Sequence, residues 1–283
     1  MNLAVVGHVE WVEFVRVEHV PEPGEIVHAL ETWEEAAGGG AVAAVQLANL
    51  NGEAQLFTSL GNDPLAHRAR VELEARGVTV HAAAGAEPQR RAYTYVDADG
   101  ERTITVLGSK QVPSGDDPSL PWEELARCDA VYFVSGDVSA LRKARRARVL
   151  VATARELATL RRGAEAIDVL VGSGEDAAER VEPGDLEPGP RTIVTTSGAL
   201  GGWIRPGGPF RAASPPGPVQ DAYGCGDCFA AGVTFALADG LAMDEAVAFG
   251  ARCGAAVLTG RGAYDGQLTG GPSGPPTRFD HIS

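Results

Sequence analysis

The chain of 283 residues carries a formal charge of −14, only two lysines (Lys110 and Lys143) and 44% apolar residues. The apolar content supports a full core, while the acidity and the lack of a basic stripe argue against nucleic acid as a partner. No apolar run reaches transmembrane length and Met1–Gly7 has no basic n-region, so a cytoplasmic protein without a membrane partner is expected.

In chain order, Leu3–Val6 reads as a buried first strand, followed by short strands near Trp11–Val17 and Gly24–Trp33. Gly38-Gly39-Gly40 opens a helix over Ala41–Asn51. Strand Gln55–Ser59 precedes helix Leu65–Arg76. Arg90–Asp97 and Glu101–Val106 alternate about the turn Asp97-Ala98-Asp99-Gly100 and read as a hairpin. Strands follow at Ala130–Val134, Val149–Val151, Val169–Val171 and Thr192–Thr195, with helices at Ala154–Arg161 and Glu175–Arg180. Alternating β and α predicts a mostly parallel sheet with helices on both faces. The basic run Arg142–Arg148 reads as a solvated helix face. A helix rich in small residues is expected over Gly250–Thr259, and the Gly/Pro-rich 270–283 as a disordered tail. There is no internal repeat.

The densest chemical signal is Asp221-Ala-Tyr-Gly224-Cys225-Gly226-Asp227-Cys-Phe-Ala-Ala-Gly232. Two glycines allow a tight turn and a close approach to a ligand. Phe229, Val233 and Ala236-Leu237 follow at helical spacing. The N–H groups of 224–227 then lie at a helix start without intrahelical acceptors, which makes an anion site. Asp227 repels an anion, so its chemical sense is as a base that takes a proton from an attacking hydroxyl. Taken alone, the segment also fits an ordinary turn with an Asp cap. Cys225-x-x-Cys228 has the spacing of half a metal or redox site but lacks a second pair; a helix start would favour a thiolate at Cys225.

This segment resembles the second signature of the ribokinase-like (PfkB) small-molecule kinases, with Ala222 and Cys225 in place of the usual Thr and Ala. Gly38-Gly39 resembles the first signature. Ser59-Leu-Gly61-Asn-Asp63, Asp99-Gly-Glu-Arg102-Thr and Thr196-Ser-Gly198-Ala-Leu-Gly201 fall in the family's order, so the likeness spans nearly the whole chain. It implies a three-layer α/β/α sandwich over 1–269 with a small β lid drawn from about 10–34 and 89–107. It also implies an ATP-dependent phosphotransferase acting on an alcohol group, with Mg²⁺ and, in some members, K⁺.

Residue by residue, the resemblance implies Asp227 as base and Gly224, Cys225 and Gly226 as the anion hole. Thr196, Gly198 and Gly201 would border the nucleotide, and Gly38 and Gly39 the acceptor. Glu175 would organise Mg²⁺ through water, and Asp221 is the K⁺ candidate. Two departures stand out. The family's Asn four residues after the second glycine is Ala43, and its Asp five residues after Gly7 is Val12. Glu10 and Glu13 flank that gap as acceptor-binding candidates, and Trp11, Trp33, Tyr93 and Tyr95 could line the inner lid. The expected acceptor is a sugar or sugar-like compound. A nucleoside kinase and a catalytically weak ligand-binding or regulatory protein are the alternatives. An exposed lid edge would allow a homodimer.

Overall fold

A computed structural model describes residues 1–182 and 184–272. The expected tail lies outside the described residues from 273 onward; Gly270 N donates to Asn49 O at 3.2 Å. Along the chain run β1 (Leu3–Val6), β2 (Glu10–Arg16), β3 (Glu31–Ala37), α1 (Gly39–Asn51), β4 (Ala54–Leu60), α2 (Pro64–Ala75) and β5 (Val78–Ala84). Then come β6 (Arg91–Val96), β7 (Arg102–Leu107), β8 (Ala130–Phe133), α3 (Val138–Ala144), β9 (Val149–Thr153), α4 (Leu157–Gly163) and β10 (Val169–Ser173). The last elements are β11 (Thr192–Thr196), β12 (Gly202–Arg205), β13 (Pro209–Phe210), α5 (Cys225–Ala238) and α6 (Met243–Val257).

The body is a nine-stranded sheet ordered β13-β12-β11-β10-β9-β8-β1-β4-β5. It is parallel from β11 to β5, and β12 and β13 close one edge antiparallel. A parallel sheet covered on both faces needs strands apolar on both sides. β1 meets this: Leu3, Ala4, Val5 and Val6 are all buried. Leu3 and Val5 face a core shared with α1, α5 and α6, whereas Ala4 and Val6 face a second core under α3 and α4. Each fully buried aliphatic or Phe side chain contributes about 1.5–3 kcal/mol, and the two cores set the expected three-layer order.

A separate four-stranded sheet is ordered β3-β2-β6-β7. β2 pairs parallel with β6, and the expected hairpin β6–β7 is antiparallel with Tyr95 opposite Thr103. The small sheet is tied to the loop after α6: Ala263 N donates to Glu35 Oε2 at 3.0 Å and Tyr264 Oη donates to Ala36 O. Phe14 stacks on Trp33 at 4.9 Å and meets Tyr223 edge-on at 5.0 Å.

Several expectations need correction. Residues 24–30 form no strand; β3 begins at Glu31, after a turn in which Glu25 N donates to Glu22 O. Glu175–Arg180 is no α-helix but a 3-10 turn over Ala177–Glu179, capped by Asp176, whose carboxylate accepts the Ala178 N–H at 2.9 Å. Ala154–Arg161 divides into a 3-10 turn at Ala154–Glu156 and α4. Only Arg142, Lys143 and Ala144 of the basic run are helical. The small-residue stretch is the latter half of α6, which starts at Met243 and ends at Val257. β5, β12 and β13 were not anticipated, and α3 was anticipated only at its C-terminal end.

Candidate active site

The glycine loop ends at Gly224, whose φ of 79° is left-handed, and α5 starts at Cys225. The Cys228 N–H is the first to return to the loop, bonding Gly224 O at 2.9 Å. The amides of 225–227 therefore lack intrahelical acceptors and carry the positive end of the helix dipole. The two glycines differ in cause. A Cβ at Gly224 would sit 2.8 Å from Val42 Cγ1, whereas at Gly226 it would meet nothing within 4 Å. Packing demands the first glycine and not the second; the open space at Gly226 is a cradle that fits a phosphate approaching backbone N–H groups.

Asp227 lies in the first turn of α5, partly enclosed, and burial pushes its carboxyl up to about 6, with Glu179 adding to the rise and Arg102 and Arg155 opposing it. Its carboxylate rests against the start of α1: a Cβ at Gly39 would be 2.9 Å from Asp227 Oδ1. Gly38 takes a φ of 87° and faces Glu10, whose Cγ would be 3.1 Å from an added Cβ. Gly40 is pressed on the end of β1, its would-be Cβ 2.6 Å from His8 O. The three-glycine run thus lets one backbone segment touch the two carboxylates and β1 together.

Pairing in the small sheet sorts the acceptor candidates. Glu10, Val12, Phe14, Trp33 and Glu35 share the face toward the body; Trp11, Glu13, Tyr93 and Tyr95 are on the other. Only Trp33 of the four aromatics is on the inner face, so the expected aromatic lining is not formed. Glu13 pairs with Arg91 on the outer face; a burial penalty is outweighed by its bonds to Arg91 and Tyr93, and its carboxyl is held below the usual range. Glu10, in contrast, is buried beside Gly38, 2.9 Å from Arg90 Nε and 3.8 Å from His8 Nε2. Burial raises its carboxyl against the pull of Arg90 and Lys110. His8 Nδ1 shares a hydrogen bond with Ser135 Oγ at 3.0 Å, and burial, with Lys110 and Arg90, keeps the ring neutral. Val12 and Ala43 are fully buried apolar core.

On the side of β10 and β11, Thr196 ends its strand and donates to Gly172 O at 3.4 Å. Gly198 and Gly201 turn with φ of 49° and 92°. Glu175 reaches this turn, its Oε1 3.1 Å from a Cβ built on Gly198. The carboxylate acting on Asp227 is instead Glu179, which accepts the Ser173 N–H at 3.0 Å and pairs with Arg155. Asp221 is fully buried and accepts N–H bonds from Tyr223 at 2.8 Å and Gly262 at 3.0 Å; burial raises it and these bonds oppose the rise. Burial raises the Cys225 thiol too, outweighing the helix start and Arg102, so it is not an activated thiolate. Among the described residues, no three His, Cys, Asp or Glu side chains form a metal-holding group.

The fold therefore gathers Gly38, Gly39, Glu10, Asp227 and the 224–226 loop at one place, with Thr196, Gly198, Gly201 and Glu175 flanking it and Glu13 apart. Sequence reasoning missed Arg102, His8, Arg90, Lys110 and Glu179. Arg102 starts β7 on the inner face of the small sheet and donates to Ala222 O at 2.6 Å, joining that sheet to the glycine loop. Its signal was period two in the hairpin. The others come from four separate loops, and only the sheet order brings them together.

The pattern of the pfkB family carbohydrate kinases matches residues 1–269. An ATP-dependent ribose-1-phosphate kinase of Halopiger xanaduensis is 28% identical over 274 residues, covering 91% of this chain and 92% of that protein. Among solved structures, the ribokinase of Thermotoga maritima superposes with a TM-score of 0.75 at 19% identity, covering 95% of this chain and 96% of its own. The adenosine kinase of Sinorhizobium meliloti superposes with a TM-score of 0.74 at 18% identity, covering 92% and 94%. No helix among the described residues is long and apolar enough to cross a membrane.

Proposed function

The chain belongs to the pfkB family of carbohydrate kinases, and from that premise we propose that it transfers a phosphoryl group from ATP to an alcohol group of a small sugar or sugar-like acceptor. One observation carries this reading. A carboxylate with its value raised to about 6 stands at the start of α5, against Gly39 and beside amides that have no acceptor. Asp227 takes the proton of the attacking hydroxyl, a role suited to a base titrating near the working pH. The amides of Gly224, Cys225 and Gly226 hold charge on the transferring group. Arg102 brings a cation to the same loop. Thr196, Gly198 and Gly201 border the nucleotide, and Gly38 and Gly39 let the acceptor reach the backbone. Glu175, with Glu179 nearby, would hold Mg²⁺ through water, and that ion supplies neutralisation of the β/γ-phosphate charge when bound. Asp221 serves as clamp of the glycine loop and is the candidate neighbour of a K⁺ ion.

The two departures favour altered specificity over lost activity. Val12 is core, yet Glu10 places a carboxylate on the same face two residues earlier. The relative named for ribose 1-phosphate supports an acceptor of the sugar class. Steady-state phosphorylation of a panel of free sugars, sugar phosphates and nucleosides, with wild type and Asp227→Asn, tests the reading. Expected is acceptor-dependent ADP formation that Asp227→Asn lowers about 10²–10⁴-fold in kcat. Turnover by Asp227→Asn at the wild-type rate would refute the assignment.

A further inference from the structure

We propose that this kinase needs no monovalent metal ion beside its glycine loop: Arg16 and Arg102, set in one row of the small sheet, hold the carbonyl groups on either side of Asp221 and supply the positive charge there. The inference rests on the kinase reading above and leaves Asp221 the role of clamp alone.

A K⁺ ion is held where several oxygens replace its hydration shell. Around Asp221 the oxygens are already engaged. The carboxylate is fully buried, and each of its oxygens accepts a backbone N–H, Oδ1 from Tyr223 at 2.8 Å and Oδ2 from Gly262 at 3.0 Å. Leu258 O accepts the N–H groups of both Gln220 and Asp221, at 2.8 and 3.3 Å. Thr259 O accepts from Gln220 Nε2 at 2.9 Å, and Ala263 O from Gln267 Nε2 at 3.1 Å. Tyr264 O accepts the Gln267 N–H at 3.0 Å. Space is short as well, since a Cβ built on Gly262 would fall 2.7 Å from Glu35 Oε2. An ion entering here would compete with N–H donors for every one of these oxygens, so the residues present do not fit it.

The charge comes from the small sheet instead. Arg16 pairs with Val96 and Val96 with Arg102, so the two arginines share one face, on either side of a buried valine. Arg16 Nη1 donates to Gln220 O at 3.3 Å, and Arg102 Nη1 donates to Ala222 O at 2.6 Å. The turn before β7 adds a backbone bond, the Ala222 N–H to Gly100 O at 3.0 Å. Residues 220 and 222 are thus gripped from the small sheet while 221 is gripped from the body. Both guanidinium groups also favour the charged form of Asp221 against its burial. Glu31 stands 3.7 Å from Arg16, but it bonds Arg261 at 2.6 Å and so does not cancel the pair. One buried carboxylate facing two guanidinium groups leaves a third cation repelled. Arg16 touches no reacting group; it acts through the loop that ends in Asp227 and is a positioning residue.

The test compares KCl with tetramethylammonium chloride at equal ionic strength, in buffer holding Mg²⁺ and no other monovalent metal. With the acceptor that the panel above shows to be turned over best, kcat/KM for ATP is expected to agree between the two salts within about 2-fold. Calorimetry of a non-hydrolysable ATP analogue reads the loop without turnover, and its Kd should likewise agree within about 2-fold. Thallium(I) resonance reads the ion itself, and no saturable binding is expected at millimolar concentration. A larger gain in KCl by either measure, or saturable thallium(I) binding, would overturn the proposal. Arg16→Ala, checked for folding by circular dichroism, should raise both the KM for ATP and the analogue Kd at least about 10-fold. Arg16→Lys should recover part of this, because the charge is kept. Millimolar guanidinium chloride should recover part of it in Arg16→Ala, which a general loss of stability would not allow. Unchanged ATP kinetics in Arg16→Ala, or an Arg16→Lys no better than Arg16→Ala, would remove Arg16 from the role. If Arg16→Ala fails to fold, the salt comparison in wild type decides. K⁺ activation of Asp227-dependent turnover would leave the kinase reading standing and sink only this inference. Wild-type turnover by Asp227→Asn would sink the kinase reading, and analogue binding in the two salts would still decide this one.

Discussion

The two glycines of the phosphate loop look alike in sequence but answer to different constraints. Gly224 is fixed by a left-handed φ and by Val42. Gly226 has an ordinary helical backbone and empty space where a side chain would go. Gly226→Ala is therefore expected to leave the melting temperature unchanged or raise it, since Ala gains up to about 1 kcal/mol over Gly within a helix. The added methyl would stand where phosphate approaches, so kcat/KM for ATP should fall by at least about 10-fold. Unaltered ATP kinetics would remove Gly226 from the anion hole. Asp227 gives a second expectation. Its folded value of about 6 lies above the 3.8 of an unfolded Asp, so it stabilises the protonated fold; that contribution is complete below about pH 4 and is lost as pH rises through 6. Asp227→Asn should thus be more stable than wild type at pH 8, by up to ~3 kcal/mol, and little different at pH 4. In wild type, kcat/KM should fall on the acid side with an apparent value near 6, because only the carboxylate accepts a proton. A destabilised Asp227→Asn at pH 8, or a flat profile between pH 5 and 7, would contradict the burial of this carboxyl.

At the scale of elements, the parallel strands were legible because they are short apolar runs between turn signals. β1 was read at its true limits, and β4, β8, β9, β10 and β11 to within two residues at either end. The 3-10 turns were not, since Asp176 and Thr153 cap one turn each and no apolar period distinguishes a single turn from the start of a helix. β12 and β13 are four and two residues long, too short for any pattern. The small sheet shows a different limit. Alternation along β2 separates Glu13 from Val12, but only pairing with β3 and β6 says which face meets the body. That sheet is seated through Glu35, buried opposite Val12, where desolvation lifts its carboxyl to about 7 against the Ala263 N–H bond. A raised acid of this kind supports the fold fully below about pH 4.5 and ceases to as pH rises through 7. Between pH 6 and 8, wild type should lose about 1 kcal/mol relative to Glu35→Gln, a few degrees in melting temperature. Parallel pH dependence in the two proteins would show that Glu35 titrates outside this window.

For the whole molecule, the loop that carries Asp227 was legible because glycines, an acid and a helix start follow one another in a single stretch. The acceptor side was not, because His8, Arg90, Lys110 and Ser135 are contributed by segments far apart in sequence and meet only through the strand order β8-β1-β4 and the sheet above it. The bond from Arg102 to Ala222 O has a thermodynamic consequence. It makes the seating of the small sheet and the shape of the glycine loop parts of one equilibrium. A ligand that favours the seated sheet must then strengthen a ligand held by the loop, and by the same factor in the reverse direction. Acceptor should lower the Kd of a non-hydrolysable ATP analogue by as much as the analogue lowers that of the acceptor. Arg102→Ala should shrink this shared factor toward one, and a factor unchanged from wild type would mean that the bond does not couple the two sites.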